Sequence, residues 1–309
     1  MGRVGGFAQR FLAADREGKL TLSRWAVRRI LVTARYSDVT RMLARNDEWV
    51  LVRPRRGRDC ETYLVSARDR VISRYLILNG DYEFDLVLQA LGVLQWKQVD
   101  VLVDVGANIG TVCLPALRRG YARRAVAVEP DPMNVTLLRA NALMNGVTDR
   151  LEVHDVAATA SPGEFELARD TKFNNFGDHR MVEPGLDVGG RAKVRVRGDT
   201  LDNLVGSFAE PRVLLWLDVQ GYEGQVLAGS AKVLNAGAAL VMEFSPAHLA
   251  RHGGVEALQI LQQYHSLVVD LRSGEVAKFT MAWLNDRART LGDQFTDLLF
   301  VPAGHRLSS

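Results

Sequence analysis

Two acidic residues and two glycines have the types and spacing of a ligand-binding turn. Asp104 precedes Gly106 and Gly110, and Glu129 follows further along the chain. Glycine has no side chain, so a ligand can approach the backbone closely where it occurs. The Glu129 carboxylate can accept hydrogen bonds from two ribose hydroxyls, and the Asp104 carboxylate attracts a cation. These four residues therefore predict a site for a cationic ligand that carries a ribose.

Buried parallel strands must position these residues. The run Val99–Val105 is almost entirely apolar and β-branched, as in a strand covered on both faces. A second strand of this kind, Ala125–Val128, ends directly before Glu129, and Leu151–Ala157 has the pattern of a third. The segment Pro132–Met144 has the apolar spacing of a helix. This alternation predicts an α/β fold whose ligand lies at the carboxyl ends of the strands.

The glycine spacing discriminates between nucleotide cofactors. A dinucleotide site has the pattern G-x-G-x-x-G. Here Gly106 and Gly110 enclose Ala107, Asn108 and Ile109. Asp104 would repel a pyrophosphate, but it would attract the sulfonium and ammonium groups of S-adenosyl-L-methionine. The pattern therefore favours S-adenosylmethionine over NAD, while an ordinary strand-turn-helix without any ligand is the alternative explanation of so short a motif.

From about Asp81 to Pro302, the chain resembles the FkbM-type family of S-adenosylmethionine-dependent methyltransferases. The resemblance rests on six segments: Val103-Asp-Val-Gly-Ala-Asn-Ile-Gly110, Val128-Glu-Pro-Asp-Pro132, Asn141-Ala-Leu-Met-Asn-Gly146, Asp199-Thr-Leu-Asp202, Leu217-Asp-Val-Gln-Gly-Tyr-Glu223 and Val241-Met-Glu243. It implies a Rossmann-like fold, with a mostly parallel seven-stranded sheet and a small N-terminal extension. It also implies O-methylation of a hydroxyl on a sugar or on a secondary or surface metabolite.

The same resemblance assigns further contacts to the cofactor pocket. In this architecture Asp155 would reach the adenine amino group, and Val156 would pack against the adenine ring. Tyr82 and Glu83 precede the core in a pattern that the family shares, and they are expected to border the pocket. Turn formation and packing are the alternative roles for these residues.

One segment departs from the family pattern. Where the family usually has Lys-Ile-Asp-Val-Glu-Gly, this chain has Trp216-Leu-Asp-Val-Gln-Gly221. Gln220 keeps hydrogen-bonding capacity, but it cannot act as a base or as a charged metal ligand. We predict that Gln220 is a structural substitution and that the chemistry depends on Asp218.

Catalysis of methyl transfer to a hydroxyl needs a proton acceptor near the strand ends. Asp218 and Glu243, at the ends of the predicted fourth and fifth core strands, are the candidates, with His179 and His248 as secondary ones. The two carboxylates could instead bind Mg²⁺, but a third acidic ligand is not clearly placed, so no metal is predicted. The polar segment Asn174–His179, within a long loop over 173–190, is predicted to close over the acceptor.

Length and composition fit one α/β domain over 81–309, preceded by an extension over 1–80. The chain has 309 residues, of which 47% are hydrophobic. Cys60 and Cys113 form no C-x-x-C motif, so neither a disulfide framework nor a zinc site is indicated. No apolar stretch reaches the ~18 residues that span a bilayer, and Met1–Arg10 lacks the apolar core of a signal peptide. We expect a cytoplasmic protein.

Charge is concentrated in the first part of the chain. Residues 1–75 contain 17 Lys and Arg against 8 Asp and Glu, a net charge of +9, which leaves −6 for the rest. Trp25–Val32 has the pattern of an amphipathic helix whose arginines could face an anionic surface, but a solvated helix face packed on the domain is the simpler explanation. No nucleic-acid-binding signature is present. The expected partner is a small-molecule or glycan acceptor, and nothing in the sequence indicates an oligomeric state.

A protein without catalytic activity is the alternative to an enzyme. The loss of the family's lysine and glutamate would fit a non-catalytic S-adenosylmethionine-binding or interaction protein derived from this fold. The remaining predicted elements are a helix over 84–94 and strands over 49–52, 62–65, 71–78, 163–168, 193–197, 213–217, 238–244, 267–271 and 295–301.

Overall fold

The computed structural model describes residues 49–53, 61–80, 82–170, 174–182, 188–206 and 212–305. By their internal contacts, residues 51–65 and those from 69 onward form one compact unit. Residues up to 50, together with 66–68, form another, of which only residues 49, 50 and 66–68 are described. The predicted helix Trp25–Val32 and Cys60 lie outside the described residues. Within the described ranges, no helix has the length and apolarity needed to span a membrane.

Strands and helices alternate along most of the chain. The strands are β1 (Trp49–Val52), β2 (Tyr63–Ser66), β3 (Val99–Val105), β4 (Ala122–Val128), β5 (Leu151–His154), β6 (Ala157–Ala158), β7 (Gly163–Arg169), β8 (Arg180–Val182), β9 (Ala192–Asp199), β10 (Val213–Leu217), β11 (Ala239–Phe244), β12 (His265–Asp270), β13 (Val276–Lys278) and β14 (Thr296–Pro302). The α-helices are α1 (Ile72–Asn79), α2 (Phe84–Leu94), α3 (Cys113–Arg118), α4 (Pro132–Asn145), α5 (Leu201–Val205), α6 (Glu223–Ala228), α7 (Ala231–Asn235), α8 (Pro246–Leu249) and α9 (Met281–Leu291). A 3₁₀ helix covers Val255–Gln263.

The main sheet has the order β13-β12-β14-β11-β10-β3-β4-β5. The five strands from β11 to β5 are parallel, and β14 pairs antiparallel with both β11 and β12. Every residue of β3 is buried, as expected for a strand covered on both faces. From β3 the chain proceeds to β4 and β5 on one side, and it later adds β10 and β11 on the other. The boundary between β3 and β10 is therefore a topological switch point, where α/β sheets bind ligands.

The predicted α/β class is confirmed, and the sheet has one strand more than the seven expected. The additional strand, β13, pairs antiparallel with β12 at the sheet edge. Gly274, with φ +77°, lies in the turn between these two strands. A short hairpin strand of three residues has too little periodicity to be recognised from the sequence.

The second sheet has the order β6-β9-β7-β8. The strands predicted over 163–168 and 193–197 are confirmed as β7 and β9, which pair antiparallel. The intervening segment is not entirely a loop, because β8 pairs antiparallel with β7. Residues 180–182 are therefore part of the second sheet. Residues 174–179 lie between β7 and β8 along the chain, and 175–179 line the candidate site described below.

The strand predicted over 71–78 is wrong, because this segment forms helix α1. Ile72 and Leu76 are buried four residues apart, which is the spacing of one helix face. The Asp69 carboxylate accepts hydrogen bonds from the backbone N–H groups of Val71 (3.2 Å) and Ser73 (2.6 Å) at the start of the helix. Gly80, with φ +82°, ends it. The β-branched residues suggested a strand, but these end interactions favour the helix.

Two asparagines of α4 bind the backbone of Thr62 and Leu64, within the same compact unit. Asn141 accepts from the Leu64 N–H (2.6 Å) and donates to the carbonyl oxygens of Leu64 (3.3 Å) and Ile109 (3.0 Å). Asn145 likewise accepts from the Thr62 N–H and donates to its carbonyl oxygen. Since both asparagines are buried, these hydrogen bonds satisfy a strand edge that would otherwise be unpaired. They also hold the turn at Ile109, which belongs to the candidate site.

Candidate active site

A cavity of about 400 Å³ opens at the carboxyl ends of β3, β4, β10 and β11. It therefore lies at the switch point of the sheet, and its volume is within the roughly 300–1,000 Å³ typical of small-molecule sites. The polar and acidic side chains on its wall come from six separate segments of the chain. They include Tyr82, Glu83, Asp104, Asn108, Glu129, Asn134, Asp178, His179, Arg180, Asp218, Gln220, Glu243 and His248.

The glycines of the turn after β3 permit close packing of the protein against itself. Gly106 has φ +84°, and a Cβ atom there would lie 1.9 Å from the backbone oxygen of Asp218. Gly110 has φ +92°, and a Cβ atom there would lie 2.6 Å from Leu114 and 2.7 Å from Leu138. The sequence suggested glycines that admit a ligand. The structure shows that Gly106 brings the end of β3 against the end of β10, so that Asp104 and Asp218 reach one cavity.

Asp104 fixes the start of helix α3. Its Oδ2 accepts a hydrogen bond from the backbone N–H of Cys113 at 3.1 Å, and the residue is 1% exposed. Burial raises the pKa of Asp104 to about 6, although hydrogen bonds from Cys113 partly offset this effect. Asp104 therefore organises the turn that surrounds the cavity, in addition to lining it.

Glu129 is held in one orientation by backbone donors. Oε2 accepts from the Asn108 N–H and Oε1 from the Asp131 N–H, each at 2.9 Å. The Asn134 side chain donates to Oε1 at 3.4 Å. Burial raises the pKa of Glu129 to about 7, and these hydrogen bonds counteract the shift. A carboxylate offers about four lone-pair sites, so Oε2 keeps one acceptor position for a ligand hydroxyl.

Segment 174–179, which is predicted to close over the acceptor, is bound to the β3 and β4 side of the cavity through one carbonyl group. The Phe176 carbonyl oxygen accepts from the side-chain amides of Asn108 (2.9 Å) and Asn134 (3.2 Å). Asn108 adopts the left-handed conformation, with φ +51°. Its Oδ1 accepts from the Ile109 N–H at 2.8 Å, which is the local hydrogen bonding that makes this conformation accessible to asparagine. Phe176 and its neighbours therefore form a wall of the cavity.

Asp218 and Gln220 lie together at the end of β10. The Gln220 side chain donates a hydrogen bond to Asp218 Oδ1 at 2.7 Å, and Gln220 itself has φ +57°. Burial raises the pKa of Asp218 to about 7, with further increases from the charges of Glu83 and Asp297. The Gln220 hydrogen bond acts in the opposite direction, because it favours the ionised carboxylate. Gln220 thus supports a charged Asp218 in surroundings where a second carboxylate would repel it.

Glu243, at the end of β11, lies among other carboxyl groups. Burial raises its pKa to about 9, and Asp218, Glu223, Asp297 and Glu83 add to the shift. Arg272 is the cation beside this group: Nε donates to Asp297 at 2.5 Å, and an Nη atom lies 3.5 Å from Glu83. Burial and repulsion among these carboxyl groups therefore favour the protonated form of Glu243 more strongly than that of Asp218. Of the two, Asp218 is better suited to accept a proton.

Tyr82 faces this acidic group from the segment before α2. Burial, and then the charges of Glu83, Asp218 and Glu243, raise its pKa far above the usual value for tyrosine. The phenol therefore stays neutral and keeps its proton. Tyr82 and Glu83, which are expected to border the cofactor pocket, both line this cavity.

The two histidines occupy different surroundings. His179 Nδ1 accepts from the Asp170 N–H at 3.3 Å, and Nε2 lies 3.7 Å from Asp131 Oδ2, so both ring nitrogens face protein groups. Burial lowers the pKa of His179, while the Asp131 charge raises it. His248 Nδ1 lies 3.7 Å from Glu243 Oε1. Burial and the neighbouring arginines lower the pKa of His248 to about 4, so its ring is neutral at physiological pH.

Asp155 and Val156, the residues predicted to hold adenine, are not among the residues that line the cavity. The Asp155 side chain is 52% exposed and lies 3.9 Å from Arg139 and 3.6 Å from Arg197. Val156 is 8% exposed and belongs to the apolar core. The chain leaves the main sheet after His154, and the next residues that line the cavity are Ala157 and Ala158. The structure therefore does not bring this pair together with Asp104 and Glu129.

Some residues of the site escaped the sequence interpretation. Asp131 caps α4 by accepting from the N–H groups of Met133 (2.9 Å) and Asn134 (3.1 Å). The order Asp131-Pro132 is a recognisable helix start, and it would have placed Asn134 in the first turn, beside Glu129. Asp297 and Arg272 carry no comparable signal. They approach Glu83 only because β14 lies between β11 and β12.

The sheet, its switch point and the acidic strand ends define a Rossmann-like methyltransferase fold. The family model for the methyltransferase FkbM domain matches residues 104–272, more than half of the chain. This chain therefore belongs to the FkbM methyltransferase family.

Curated and solved relatives match parts of the chain. It is 36% identical over 66 residues to the ribosomal protein L11 methyltransferase of Pelobacter propionicus, which covers 21% of each chain. It is 33% identical over 102 residues to the protein of that name from Yersinia pseudotuberculosis, which covers 31% of this chain and 33% of the relative. The chain thus spans a fifth to a third of the length of these relatives.

Among solved structures, the methyltransferase FkbM of Methylobacillus flagellatus is similar, with 17% identity and a TM-score of 0.42 over 69% of this chain and 47% of that one. The precorrin-6y C5,15-methyltransferase of Geobacter metallireducens has 13% identity and a TM-score of 0.36, over 70% of this chain and 86% of that one.

Proposed function

We propose that this protein is an S-adenosylmethionine-dependent O-methyltransferase that acts on a hydroxyl of a small-molecule or glycan acceptor. The observation that carries the proposal is the arrangement around one cavity. Asp104 and Glu129 line it from β3 and β4, and Asp218 and Glu243 line it from β10 and β11. The family match supports the further proposal that residues 81–309 form the methyltransferase domain, with 1–80 as an extension.

The β3 and β4 side of the cavity fits the cofactor. Glu129 keeps one acceptor position on Oε2 for a ribose hydroxyl, and Asn134 Oδ1 is buried without a hydrogen-bond partner among the described residues. An unpaired buried acceptor costs free energy, so a donor from the ligand would stabilise the site. Asp104 adds negative charge near the turn, which suits a cation. When bound, S-adenosylmethionine supplies the methyl group from its sulfonium.

Asp218 is the proposed proton acceptor. It takes up the proton of the acceptor hydroxyl as the carbon–oxygen bond forms and the carbon–sulfur bond breaks, with the electron pair left on sulfur. Gln220 orients its carboxylate through the 2.7 Å hydrogen bond. Burial and the neighbouring carboxylates favour the protonated form of Glu243, which can donate a hydrogen bond to the acceptor. His179 is a weaker candidate because both of its ring nitrogens face Asp170 and Asp131.

The segment 174–179 contributes the wall that excludes water from the reacting groups. Asn175, Phe176, Gly177, Asp178 and His179 all line the cavity. Exclusion of water strengthens electrostatic interactions within a site and holds the reacting groups in place. We therefore propose that this segment covers the bound acceptor. Replacing Phe176 by Ala would test it, since the carbonyl that binds Asn108 and Asn134 is kept.

A non-catalytic S-adenosylmethionine-binding protein is the second candidate. The observation that favours it is Gln220, which stands where the family usually has glutamate. The two candidates share the cofactor and differ in whether turnover occurs. Calorimetry therefore tests the common part, and assays with hydroxylated acceptors test the difference.

Titration calorimetry with S-adenosylmethionine, S-adenosylhomocysteine and NAD is the primary test. We expect both sulfur ligands to bind and NAD not to bind, because the turn lacks the dinucleotide glycine pattern. Binding of NAD alone, or of none of the three, would overturn the cofactor assignment. Methyl transfer from labelled S-adenosylmethionine to hydroxylated acceptors, detected by mass spectrometry, would then separate the enzyme from the binding protein.

A further inference from the structure

Three arginines from separate segments meet beside the acceptor end of the cavity. Arg180 begins β8, Arg191 directly precedes β9, and Arg251 follows α8. Nε and Nη2 of Arg180 donate to the two carboxylate oxygens of Asp178, at 2.5 and 2.9 Å. Nη2 of Arg191 donates to Asp178 Oδ2 at 2.5 Å, and its Nη1 donates to the Asp178 carbonyl oxygen. Asp178 therefore bridges the guanidinium groups of Arg180 and Arg191.

The third arginine adds charge that the described residues do not balance. Burial lowers the pKa of Arg251, and the charges of Arg180 and Arg191 lower it further, while Asp178 opposes them. Among the described residues, Arg251 Nη1 is buried and has no hydrogen-bond partner. Three guanidinium groups thus face one carboxylate, which leaves an excess of positive charge. A buried donor without a partner is costly, especially on a charged group.

The arginine cluster is defined as Arg180, Arg191 and Arg251, and it reaches the cavity through Arg180. Asp178, Arg180 and His248 all line the cavity wall. The Arg180 and Arg191 side chains are 23% and 13% exposed, so they are partly shielded from solvent without being enclosed. Guanidinium groups offer paired N–H donors that match the oxygens of phosphate or carboxylate. An anion in this position would supply the missing partner for Arg251.

We propose that the arginine cluster binds an oxyanion group of the acceptor, a phosphate or a carboxylate. This inference rests on the proposed function, since it assigns the β11 end of the cavity to the acceptor. The acceptor is then an anionic compound with a free hydroxyl, such as a sugar phosphate or a uronic acid. The cofactor's own carboxylate has the same chemistry, so a test must distinguish these two sources.

Titration calorimetry with inorganic phosphate tests the cluster directly. The full chain is titrated with and without saturating S-adenosylhomocysteine, at constant ionic strength maintained with sodium chloride. We expect phosphate to bind in both conditions. Arg251→Gln should weaken binding at least tenfold, and Arg251→Lys should weaken it less. Arg289→Gln is the matched control, because Arg289 is 76% exposed and pairs with Asp286 on α9; it should bind like the wild type.

Each outcome of this titration decides the proposal. Phosphate that fails to bind, or that binds equally to Arg251→Gln, would overturn it. Displacement of phosphate by S-adenosylhomocysteine would assign the cluster to the cofactor's carboxylate and would also overturn it. Failure of S-adenosylhomocysteine to bind would count against the proposed function, while the titration without it still tests the cluster. Circular dichroism of each variant confirms that it is folded.

The imidazole of His248 provides a second readout of the same event. The groups that face it are Glu243 on β11, together with Asp178, Arg180, Arg191 and Arg251. A bound anion would offset the arginine charges that disfavour its protonation. Phosphate should therefore raise the pKa of His248, measured by NMR titration, in the wild type and not in Arg251→Gln. An unchanged pKa in the wild type would contradict anion binding at this place.

Discussion

The two sides of the cavity differ in how their polar groups are satisfied. On the side of β3 and β4, backbone N–H groups hold the carboxylates of Asp104 and Glu129. On the side of β10 and β11, Nδ1 of His248 and Nη1 of Arg251 are buried without hydrogen-bond partners among the described residues. The carboxylates of the first side are therefore preorganised by the chain itself, and Asn134 Oδ1 remains there for a ligand donor, whereas the second side leaves an arginine and a histidine without hydrogen-bond partners in the described part of the chain.

This difference has an energetic meaning. A carboxylate that accepts backbone hydrogen bonds retains its orientation without a ligand, so little reorganisation accompanies binding. A buried charge or donor without a partner destabilises the ligand-free protein, and it can recover that free energy only when a ligand supplies the partner. Specificity for the acceptor is therefore expected to depend on the β10 and β11 side. Affinity for the cofactor is expected to depend on the β3 and β4 side.

Gly106 joins the two sides, so its replacement should have the largest effect. In Gly106→Ala, the new Cβ atom would meet the Asp218 backbone oxygen at 1.9 Å, and neither strand end can move freely within the sheet. We expect a loss of about 4 kcal/mol or more in the free energy of unfolding, measured by urea denaturation, with loss of cofactor binding.

Gly120→Ala is the control for backbone strain alone. Gly120 has φ +80°, nearly that of Gly106, but a Cβ atom there would meet nothing within 4 Å. It should cost only roughly 1 to 2 kcal/mol, the penalty for a left-handed alanine. Equal losses for the two variants would show that the contact between the strand ends is unimportant.

Asp218→Asn should separate catalysis from cofactor binding. The change preserves shape and removes basicity, and general-base assistance typically contributes ~10² to 10⁴ in rate. We expect turnover to fall at least ~10²-fold while S-adenosylmethionine affinity stays nearly constant. Gln220→Glu should change turnover far less. If Asp218→Asn stayed active and Gln220→Glu strongly raised turnover, the proton acceptor would belong at position 220. This chain would then be a weakened enzyme.

Glu129→Ala tests the preorganised side. The substitution leaves the N–H groups of Asn108 and Asp131 without their acceptor and removes the proposed ribose contact. Cofactor affinity should fall by about 1 to 3 kcal/mol in calorimetry. Asp155→Ala is the matched comparison, because Asp155 is half-exposed and outside the cavity wall; it should leave affinity unchanged. If Asp155→Ala weakened cofactor binding as much as Glu129→Ala, the result would support the predicted contact between Asp155 and adenine.

Local sequence pattern predicted the preorganised side far better than the other. The strand, the glycine turn and the acidic end of the next strand lie within Val99–Glu129, and each follows from short-range chemistry. The positions of β10 and β11 were also predicted, because buried apolar runs are distinctive. Adenine contacts at Asp155 and Val156 were not supported, since the departure of the chain from the sheet after β5 has no local signal.

The β10 and β11 side depends on contacts between distant segments. Arg251 lies near Arg180 and Arg191 only after the second sheet, β8 and α8 have taken their places. The acidic group around Glu243 likewise requires β14 to enter the sheet between β11 and β12. Residue type and spacing along one sequence do not encode such neighbours. The proposed acceptor class therefore could not be inferred from the sequence, whereas the proposed cofactor rests on the short-range pattern of Val99–Glu129.

In the ligand-free protein, the β10 and β11 side should make the free energy of unfolding depend on pH. The pKa of Glu243 is raised in the folded protein to about 9, so the folded state binds its proton more tightly than the unfolded chain does. Stability from this group is therefore full below the unfolded pKa, and it is lost as the pH rises towards 9. Glu243→Gln mimics the protonated form and removes this dependence.

Glu243→Gln should match the wild type near pH 4 and become increasingly more stable than the wild type as the pH rises, by up to about 5 kcal/mol at pH 8.5, since each pKa unit corresponds to ~1.4 kcal/mol; urea denaturation across that range measures the difference. Glu256→Gln, at an exposed position of the 3₁₀ helix, is the control and should follow the wild-type curve. If the free energy of unfolding changed with pH in the same way for Glu243→Gln and the wild type, Glu243 would be ionised in the folded protein. It would then compete with Asp218 as the proton acceptor, and the two carboxylates would have to be assigned by their separate effects on turnover.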